Sequence, residues 1–391
     1  MRNRYKFGQM IIAALNAAAV IGTVVLTAAG GNSAASQKYN FTAERIEQGS
    51  KYDYGQISCF FSDDAGFDRN SAEGLKSQAY SALKNVSVIP EEGEEMVFHA
   101  YSAEAGHAVI SGDRKGQSEA DVTAVGGDFF LFRGFRLIGG SFFSDGNSLK
   151  DGAVIDKELA WKLYGSVDIA GEKIYVNGSE LYISGVIDTP DTKLEKKSMD
   201  DTPRAYITYE AAGPIFGTAI SDTWDSAAVR EPEFSKVTCY ECVIPEPVEH
   251  FAYNTVKGQL ADMYKGSISI VNNSERFLPS KRVKALKKLD RYIIRNDEIV
   301  YPFWENASRL AEISLSFIYG ARRLLLAILL ITFICLLASA YKRFRQNKKD
   351  LKDAIERFFS SRMRKLRDKN KKAEEIRGES SEKESEQTKE S

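Results

Sequence analysis

The chain has 391 residues, and its 53 Lys and Arg residues against 54 Asp and Glu residues give a formal net charge of -1. This balance excludes the global basic surface of a general nucleic-acid binder, and it indicates no preference for acidic substrates. The charge is segregated, however, because residues 281–295 form a basic run. That run is typical of a solvated helix face, and the alternative is a contact with anionic headgroups or cell-wall polymer.

The first predicted element is an apolar span over residues 10–30, preceded by a short segment, residues 1–9. Roughly 20 apolar residues are enough for a helix to cross a bilayer. Basic residues precede this span, and they place the N-terminus in the cytoplasm: Arg2, Arg4 and Lys6. The alternative is a cleaved signal peptide with small residues for cleavage in "NSAAS". The apolar run is longer than a usual signal-peptide core, which favours an uncleaved anchor.

Residues 31–53 are predicted as a stalk, with a helix continuing from Ala34 to Gln48. The extracytoplasmic core domain then follows over residues 54–320 and opens with a buried strand, Tyr54–Ser62. A helix is predicted to start at Asn70, where Glu73 three residues later resembles a capping box. Its apolar residues recur at helical spacing: Leu75, Ala79, Ala82 and Val86.

A mainly β lobe is predicted as an insertion at about residues 96–235. Asn177-Gly178 joins two alternating apolar runs, which is the strongest short signal for a β-hairpin. Just before it, "AVIDKELAWKLYG" predicts a strand and then a helix that stops at Gly165. The upstream "VGGDFFLFRGFRLIGGSFFSD" is dense in Phe and Gly, and we interpret it as core rather than as a ligand site.

The domain is predicted to close with a β-α-β unit. Its strands are Lys236–Ile244 and Ser267–Val271, and a helical stripe lies between them: Val248, Phe251, Thr255, Val256, Leu260 and Met263. With the β-α unit near the N-terminus, this pattern predicts an α+β fold with two lobes. One lobe is a split α/β sandwich and the other is the inserted β lobe, and two transmembrane helices flank the whole.

A second stalk helix is predicted to start near Asn306 and to enter a second apolar span, residues 321–341. Its predicted stripe is Leu310, Ile313, Phe317 and Arg322. Arg322 and Arg323 at the outer end oppose the positive-inside rule, but long basic side chains can reach the headgroups. Basic residues after the span place the C-terminus in the cytoplasm as well: Lys342, Arg343, Arg345, Lys348 and Lys349.

The charged segment 342–377 is predicted as an amphipathic helix. Its apolar residues are Leu351, Ile355, Phe358, Phe359, Met363 and Leu366. Such a helix can lie on the inner membrane surface, dock on a partner as a coupling helix, or remain solvated. From residue 378 to 391 the composition predicts a disordered tail.

The cysteines give no clear ligand set. Cys239 and Cys242 have CxxC spacing but lie on a predicted strand, where positions three apart face opposite sides. No second CxxC pair exists, so zinc is not expected. A disulfide from Cys59 to one of the two remains an alternative to free buried thiols, and Cys335 lies within the second span.

Three segments resemble the MacB/FtsX-like ABC-transporter permeases, specifically their MacB-like periplasmic core domain. They are "VTAVGGDFFLFRGFRLIGGSFF", "DGAVIDKELAWKLYGSVDIAGEKIYVNGSELYISGVID" and "VYPFWENASRLAEISL". The first matches loosely, with Asp128-Phe129 followed by a Gly140 turn that lacks the family's Arg. The second matches closely, with these positions in place: Ala160, Leu163, Gly165, Gly171, Gly178 and Gly185.

The resemblance implies a two-lobed outer domain, dimerisation, and pairing with an ATPase that works from inside the membrane. The family plan has three spans after the outer domain, whereas this sequence has one. It also lacks the GxxxxGK[ST] phosphate loop. The expectation is therefore a half-permease or accessory subunit that binds or gates substrate or transmits motion, with a separate ATPase and a full permease or a second copy as partners. The alternative is a stand-alone sensor or scaffold without transport.

No catalytic, cofactor-binding or metal-binding residue is expected. The histidines are His99, His107 and His250, and the sequence shows no Asp, Glu or Cys pattern that would complete a ligand set around them. No Gly-x-Ser-x-Gly motif occurs, and the carboxylates form no motif. The chain is therefore not expected to be an enzyme.

Overall fold

The structure is a computed structural model that describes residues 2–48, 50–91, 93–113, 116–143, 150–188, 192–217, 232–288 and 298–387. The chain forms two compact units. The first comprises Met1–Thr23 with Arg323–Ser391, and the second comprises Val24–Arg322.

The elements follow in chain order. The helices are α1 (Arg2–Ala35), α2 (Thr42–Glu47), α3 (Arg69–Asn85), α4 (Phe129–Arg133), α5 (Lys157–Tyr164), α6 (Lys193–Ser198), α7 (Tyr209–Phe216), α8 (Phe251–Leu260), α9 (Asn273–Arg276), α10 (Pro279–Ala285) and α11 (Phe303–Gln387). The strands are β1 (Tyr54–Phe61), β2 (Phe98–Gly112), β3 (Gln117–Gly127), β4 (Leu137–Gly140), β5 (Gly152–Asp156), β6 (Lys173–Val176), β7 (Ser179–Ile187), β8 (Arg204–Thr208), β9 (Cys239–Pro245) and β10 (Ile268–Asn272).

The described strands form one ten-stranded sheet in the order β10-β1-β9-β2-β3-β8-β5-β7-β4, with β6 pairing to β2 and β7. The 15-residue strand β2 joins the two predicted groups of strands. Its first part pairs with β9 of the closing unit, and its last part pairs with β6 of the inserted segment. The α+β class is confirmed, and the sheet runs continuously from one group to the other.

Apolar side chains cover both faces of this sheet. One face packs against α3, α5 and α8, and the other face carries the Phe-rich segment around α4. Cys242 lies in the first core and Cys239 in the second, as the alternation of a strand predicts. Cys59, Cys239 and Cys242 are free and buried in the structure.

Two local predictions are confirmed in detail. Asn177 and Gly178 have φ values of 47° and 90°, and β6 and β7 pair directly around them. Both residues therefore take the positive φ that a two-residue hairpin needs. Gly165, with φ of 68°, is the left-handed C-cap of α5, and its backbone N–H donates to the carbonyl of Trp161.

The predicted capping residue of α3 is wrong. The N-cap is Asp68, whose carboxylate accepts from the backbone N–H of Ser71, and Asn70 lies inside the first turn. Leu83, rather than Val86, completes the buried face of this helix, because Val86 is its C-cap.

The predicted limits of α8 are also wrong. The helix runs only from Phe251 to Leu260, so Val248 and Met263 lie outside it and are exposed. The predicted stalk helix from Ala34 to Gln48 is interrupted as well. It ends at Ala35, and a short 3-10 turn and then α2 replace its continuation.

The predicted stripe of the second stalk helix is wrong, because Phe317 is exposed and Leu310 and Ile313 are only partly buried. The helix begins at Phe303, and its buried face combines large apolar residues with small and polar ones. They are Phe303, Trp304, Glu305, Ala307, Ser308, Ala311, Glu312, Leu315, Ser316 and Tyr319. The predicted stripe therefore does not lie on the face that packs, which also contains the ion-paired Glu305 and Glu312.

Two described helices are long and apolar enough to cross a membrane, on length and composition: Met10–Ala35 and Phe303–Lys365. Helix α11 continues to Gln387, beyond the start of the predicted disordered tail at residue 378. The basic run 281–295 is described only as far as residue 288. Within it Arg282 is buried and pairs with Glu312, so that residue does not lie on a solvated face.

The buried His99 gives a pH-dependent prediction. Burial, and then the charge of Lys76, lower the pKa of His99 to about 4. In the unfolded chain His99 takes up a proton near its ordinary pKa of about 6.5, whereas in the folded protein it stays neutral. The free energy of unfolding should therefore fall by up to about 3 kcal/mol as the pH decreases from about 6.5 to about 4.

The measurement is thermal unfolding of the wild type and His99→Phe between pH 4 and 7. Burial raises the pKa of Asp156 to about 6, which makes stability rise as pH falls in an overlapping window. The difference between the two proteins removes that contribution. Parallel pH profiles would contradict a buried neutral His99.

Candidate functional site

A buried polar network lies where the segment after α1, helices α9 and α10, and the first turns of α11 meet. Its centre is Arg276, the last residue of α9. The surrounding polar side chains are buried as well: Asn40, Asn273, Arg282, Glu305, Ser308 and Glu312. We call this group the junction network.

Arg276 uses its whole guanidinium in this network. Nη1 and Nη2 donate to the two carboxylate oxygens of Glu305 at 2.8 and 2.9 Å, which is a bidentate pair. Nε donates to Glu312 at 2.8 Å. Nη1 also donates to the Oδ1 atoms of Asn40 at 2.8 Å and Asn273 at 3.1 Å. One side chain thus ties three separate segments of the chain together.

Two further contacts reinforce the same connection. The Asn40 Nδ2 atom donates to the Ser308 hydroxyl at 2.7 Å, and Arg282 lies 2.8 Å from Glu312. Burial opposes the charge on Arg276. Glu305 and Glu312 outweigh that effect, so the pKa of Arg276 lies above its ordinary value. The buried guanidinium is charged, and its carboxylate partners compensate that charge.

The network continues into the centre of the sheet. Asn273 donates through Nδ2 to the Ser58 hydroxyl of β1 at 2.7 Å, and Ser58 donates to Glu241 of β9 at 2.9 Å. Glu241 pairs with Arg133, the last residue of α4. A continuous series of polar contacts therefore links the start of α11 with α4 along one face of the sheet.

Arg133 has an aromatic surrounding. Its guanidinium carbon lies 4.1 Å from the centre of the Trp304 ring and 5.0 Å from that of Phe129. Complete burial lowers the pKa of Arg133 to about 10, so the side chain still carries its charge at neutral pH. Trp304 belongs to α11, so this helix also contacts Arg133 directly, through a cation–π interaction at the end of the series of polar contacts.

A cleft of about 640 Å³ opens beside the first residues of α11. Its wall includes the aromatic residues Tyr206, Tyr301, Phe303 and Trp304, and its mouth carries carboxylates and basic groups. A volume of this size is in the range of small-molecule sites. A second cavity of about 490 Å³ borders the junction network itself.

Three side chains at the mouth of the cleft form a compact group: Glu104, His107 and Asp121. Their ligand atoms all lie within 4.8 Å of one another. The His107 Nδ1 atom is 2.5 Å from Asp121 Oδ1. By contrast, His99 lies in the core and His250 lies at the start of α8, so the structure brings none of the three histidines together.

Sequence reasoning named no site residue and missed both groups. One signal for the junction network was present, because Glu305 and Glu312 are seven residues apart and share one helix face with Ser308. No local signal identified Asn40 or Arg276 as their partners. The group at His107 was missed because Asp121 lies on the neighbouring strand, at a register that the sequence did not show.

Residues 10–233 match the family model of the MacB-like periplasmic core domain. The chain is similar to the periplasmic region of MacB from Actinobacillus actinomycetemcomitans, at 13% identity over 60% of this chain and 92% of that chain, with a TM-score of 0.35. It is also similar to the extracellular domain of the noncanonic ABC-type transporter YknZ from Gram-positive bacteria, at 15% identity over 56% and 100% of the two chains, with a TM-score of 0.36. No curated protein sequence matches it.

Proposed function

Because this chain belongs to the family of the MacB-like periplasmic core domain, we propose that it is a permease-like subunit of an ABC transporter complex. Members of this family are components of transporters and are not classical enzymes. In this proposal two helices anchor the chain in the membrane, the large domain lies outside, and both termini lie in the cytoplasm.

The observation that carries the proposal is the junction network. A buried bidentate ion pair is costly to form and strongly destabilising to break, so the start of α11 and the sheet are held in one fixed arrangement. A displacement of α11 along its axis would therefore be passed to β1 and β9 rather than absorbed in a loose contact. We propose that the outer domain follows motion of this helix and thereby binds or releases substrate.

An uncleaved first span is part of this proposal. Thr332 donates through its hydroxyl to Asn16 Oδ1 at 2.7 Å, within the unit formed by Met1–Thr23 and Arg323–Ser391. Side-chain hydrogen bonds between helices are a common contact in membranes. A cleaved signal peptide would remove Asn16 from the mature protein.

Oxidative crosslinking tests the uncleaved anchor. We expect Asn16→Cys with Thr332→Cys, in a Cys335→Ser background, to form an internal disulfide in native membranes. The matched control moves the second cysteine to Phe333, which is exposed on the same helix. A mature N-terminus beyond residue 16, found by intact-mass measurement, would contradict the anchor.

ATP hydrolysis is proposed to come from a separate subunit, since the sequence has no phosphate-binding loop. The cytoplasmic part of α11 offers exposed apolar residues for its docking, including Phe358 and Phe359. We expect Phe358→Glu with Phe359→Glu to release that subunit, because the change places two charges in an apolar contact. The control is Ser360→Glu with Ser361→Glu, which adds the same charge at adjacent exposed positions. Equal retention of the ATPase by both double variants would rule out this docking site.

The deciding experiment is affinity purification of the full-length protein from native membranes in mild detergent, with mass spectrometry of the eluate. An ATP-binding subunit and a multi-span permease, or a second copy of the chain, are the expected companions. Recovery of the protein alone, also after crosslinking in cells, would favour the alternative of a stand-alone sensor or scaffold.

A further inference from the structure

A β-bulge in strand β2 gives the group at the mouth of the cleft its geometry. Glu104 lies opposite Thr123 of β3, and His107 lies opposite Asp121, because Ala105 is an extra residue in the pairing. In a regular strand, positions 104 and 107 would face opposite sides of the sheet. The extra residue turns both toward the side of Asp121, and bulges are frequent next to functional sites for this reason.

The three side chains offer a mixed set of ligands, with one imidazole nitrogen and two carboxylates. The His107 side chain is exposed and accessible from solvent, whereas Asp121 is largely enclosed, at 16% exposure. This set differs from a cluster of surface acids, because an imidazole bound together with carboxylates is typical of zinc and related transition metals. The remaining coordination positions would face the cleft.

The surrounding charge also favours a cation. Arg204 lies 3.8 Å from Asp121, but Asp200 pairs with the same guanidinium at 2.5 Å. Asp200 thereby compensates the charge of Arg204, so Arg204 does not neutralise the carboxylates of Glu104 and Asp121.

We propose that Glu104, His107 and Asp121 bind one divalent transition-metal ion of the zinc type at the mouth of the cleft. The ion would bridge β2 and β3 and leave coordination positions open toward the cleft. The proposal is independent of the transport function, since it rests only on the geometry of these two strands.

The test is isothermal titration of zinc chloride into the purified full-length protein in detergent, after removal of bound metal with a chelator. Cobalt(II) absorption spectroscopy serves as the second readout, because a nitrogen–oxygen ligand set of low coordination number gives intense visible bands. We expect one zinc ion per chain. His107→Ala and Glu104→Gln should each weaken binding by more than the roughly 10- to 100-fold that loss of a merely supporting residue costs.

The matched control is His250→Asn, which removes a histidine elsewhere and keeps a residue that tolerates the positive φ at this position. The control should bind zinc like the wild type. Unchanged circular dichroism of the variants shows that lost binding is not lost folding, which is expected because Glu104 and His107 are exposed. No zinc binding by the wild type, or binding that His107→Ala and Glu104→Gln leave unchanged, would overturn the proposal.

Discussion

Arg276→Met is expected to lower the free energy of unfolding of the outer domain by about 3–5 kcal/mol, because it leaves two buried carboxylates without their shared cation. The partners of the guanidinium are Glu305 and Glu312, which remain enclosed after the substitution. Methionine keeps much of the side-chain volume, so a cavity is not the main cause of the loss. Thermal unfolding of the full-length protein should show a midpoint lower by roughly 6 to 20 °C.

Two further variants separate charge from packing. Adding Glu305→Gln to Arg276→Met removes the charge of the carboxylate that bound Arg276 through both oxygens, whereas Glu312 keeps its pair with Arg282. Part of the lost stability should therefore return. Lys162→Met breaks an exposed pair with Glu158 and should cost less than about 0.5 kcal/mol. An Arg276→Met protein as stable as Lys162→Met would show that the junction network does not hold the helix and the sheet together.

Arg133 lies at the other end of the series of polar contacts. Arg133→Met is expected to lower the free energy of unfolding by a similar amount, about 3–5 kcal/mol. Its partner Glu241 is buried, and Trp304 would also lose its cation–π contact. Adding Glu241→Gln should restore part of the stability, since an amide is less costly to bury than an unpaired carboxylate. The measurement is again the unfolding midpoint, read for the single and the double variant.

The stability effects of Arg276 and Arg133, which lie at the two ends of the series of polar contacts, should also be coupled. Ser58 links them, because it contacts both Asn273 and Glu241. Residues in one hydrogen-bonded network typically show interaction energies of about 0.5–3 kcal/mol in double-mutant cycles. We expect the losses of Arg276→Met and Arg133→Met to be non-additive, and we expect Ser58→Ala to reduce this non-additivity. Simple additivity in both backgrounds would mean that the two ion pairs act separately.

Local features of the fold were accessible from the sequence. The hairpin at Asn177-Gly178 and the stop at Gly165 follow from residues that take positive φ at little cost. The strand β1 and the helix α5 follow from apolar spacing within a few positions. Element ends were less accessible, as the capping by Asp68 shows, because neighbouring polar residues compete to satisfy the same backbone groups.

The side chains that carry the candidate sites could not be predicted in this way. Helix α11 packs on a face that contains Glu312 and Ser308 together with apolar residues, and this is not the face of the predicted stripe. Those polar residues are buried only because Arg276 and Asn40 meet them there, and those two residues are 236 positions apart in the chain. A charge is buried where a distant partner compensates it, and no local pattern records that partner.

The sequence by itself determined the apolar spans, the α+β class, the hairpin and the likeness to the family of the MacB-like periplasmic core domain. These properties depend on composition, on periodicity and on backbone preferences within a few residues. Only the tertiary structure decided the junction network, the path from Arg276 to Arg133, and the meeting of Glu104, His107 and Asp121. Each of these depends on strand register and on contacts between distant segments, which packing of the whole domain selects.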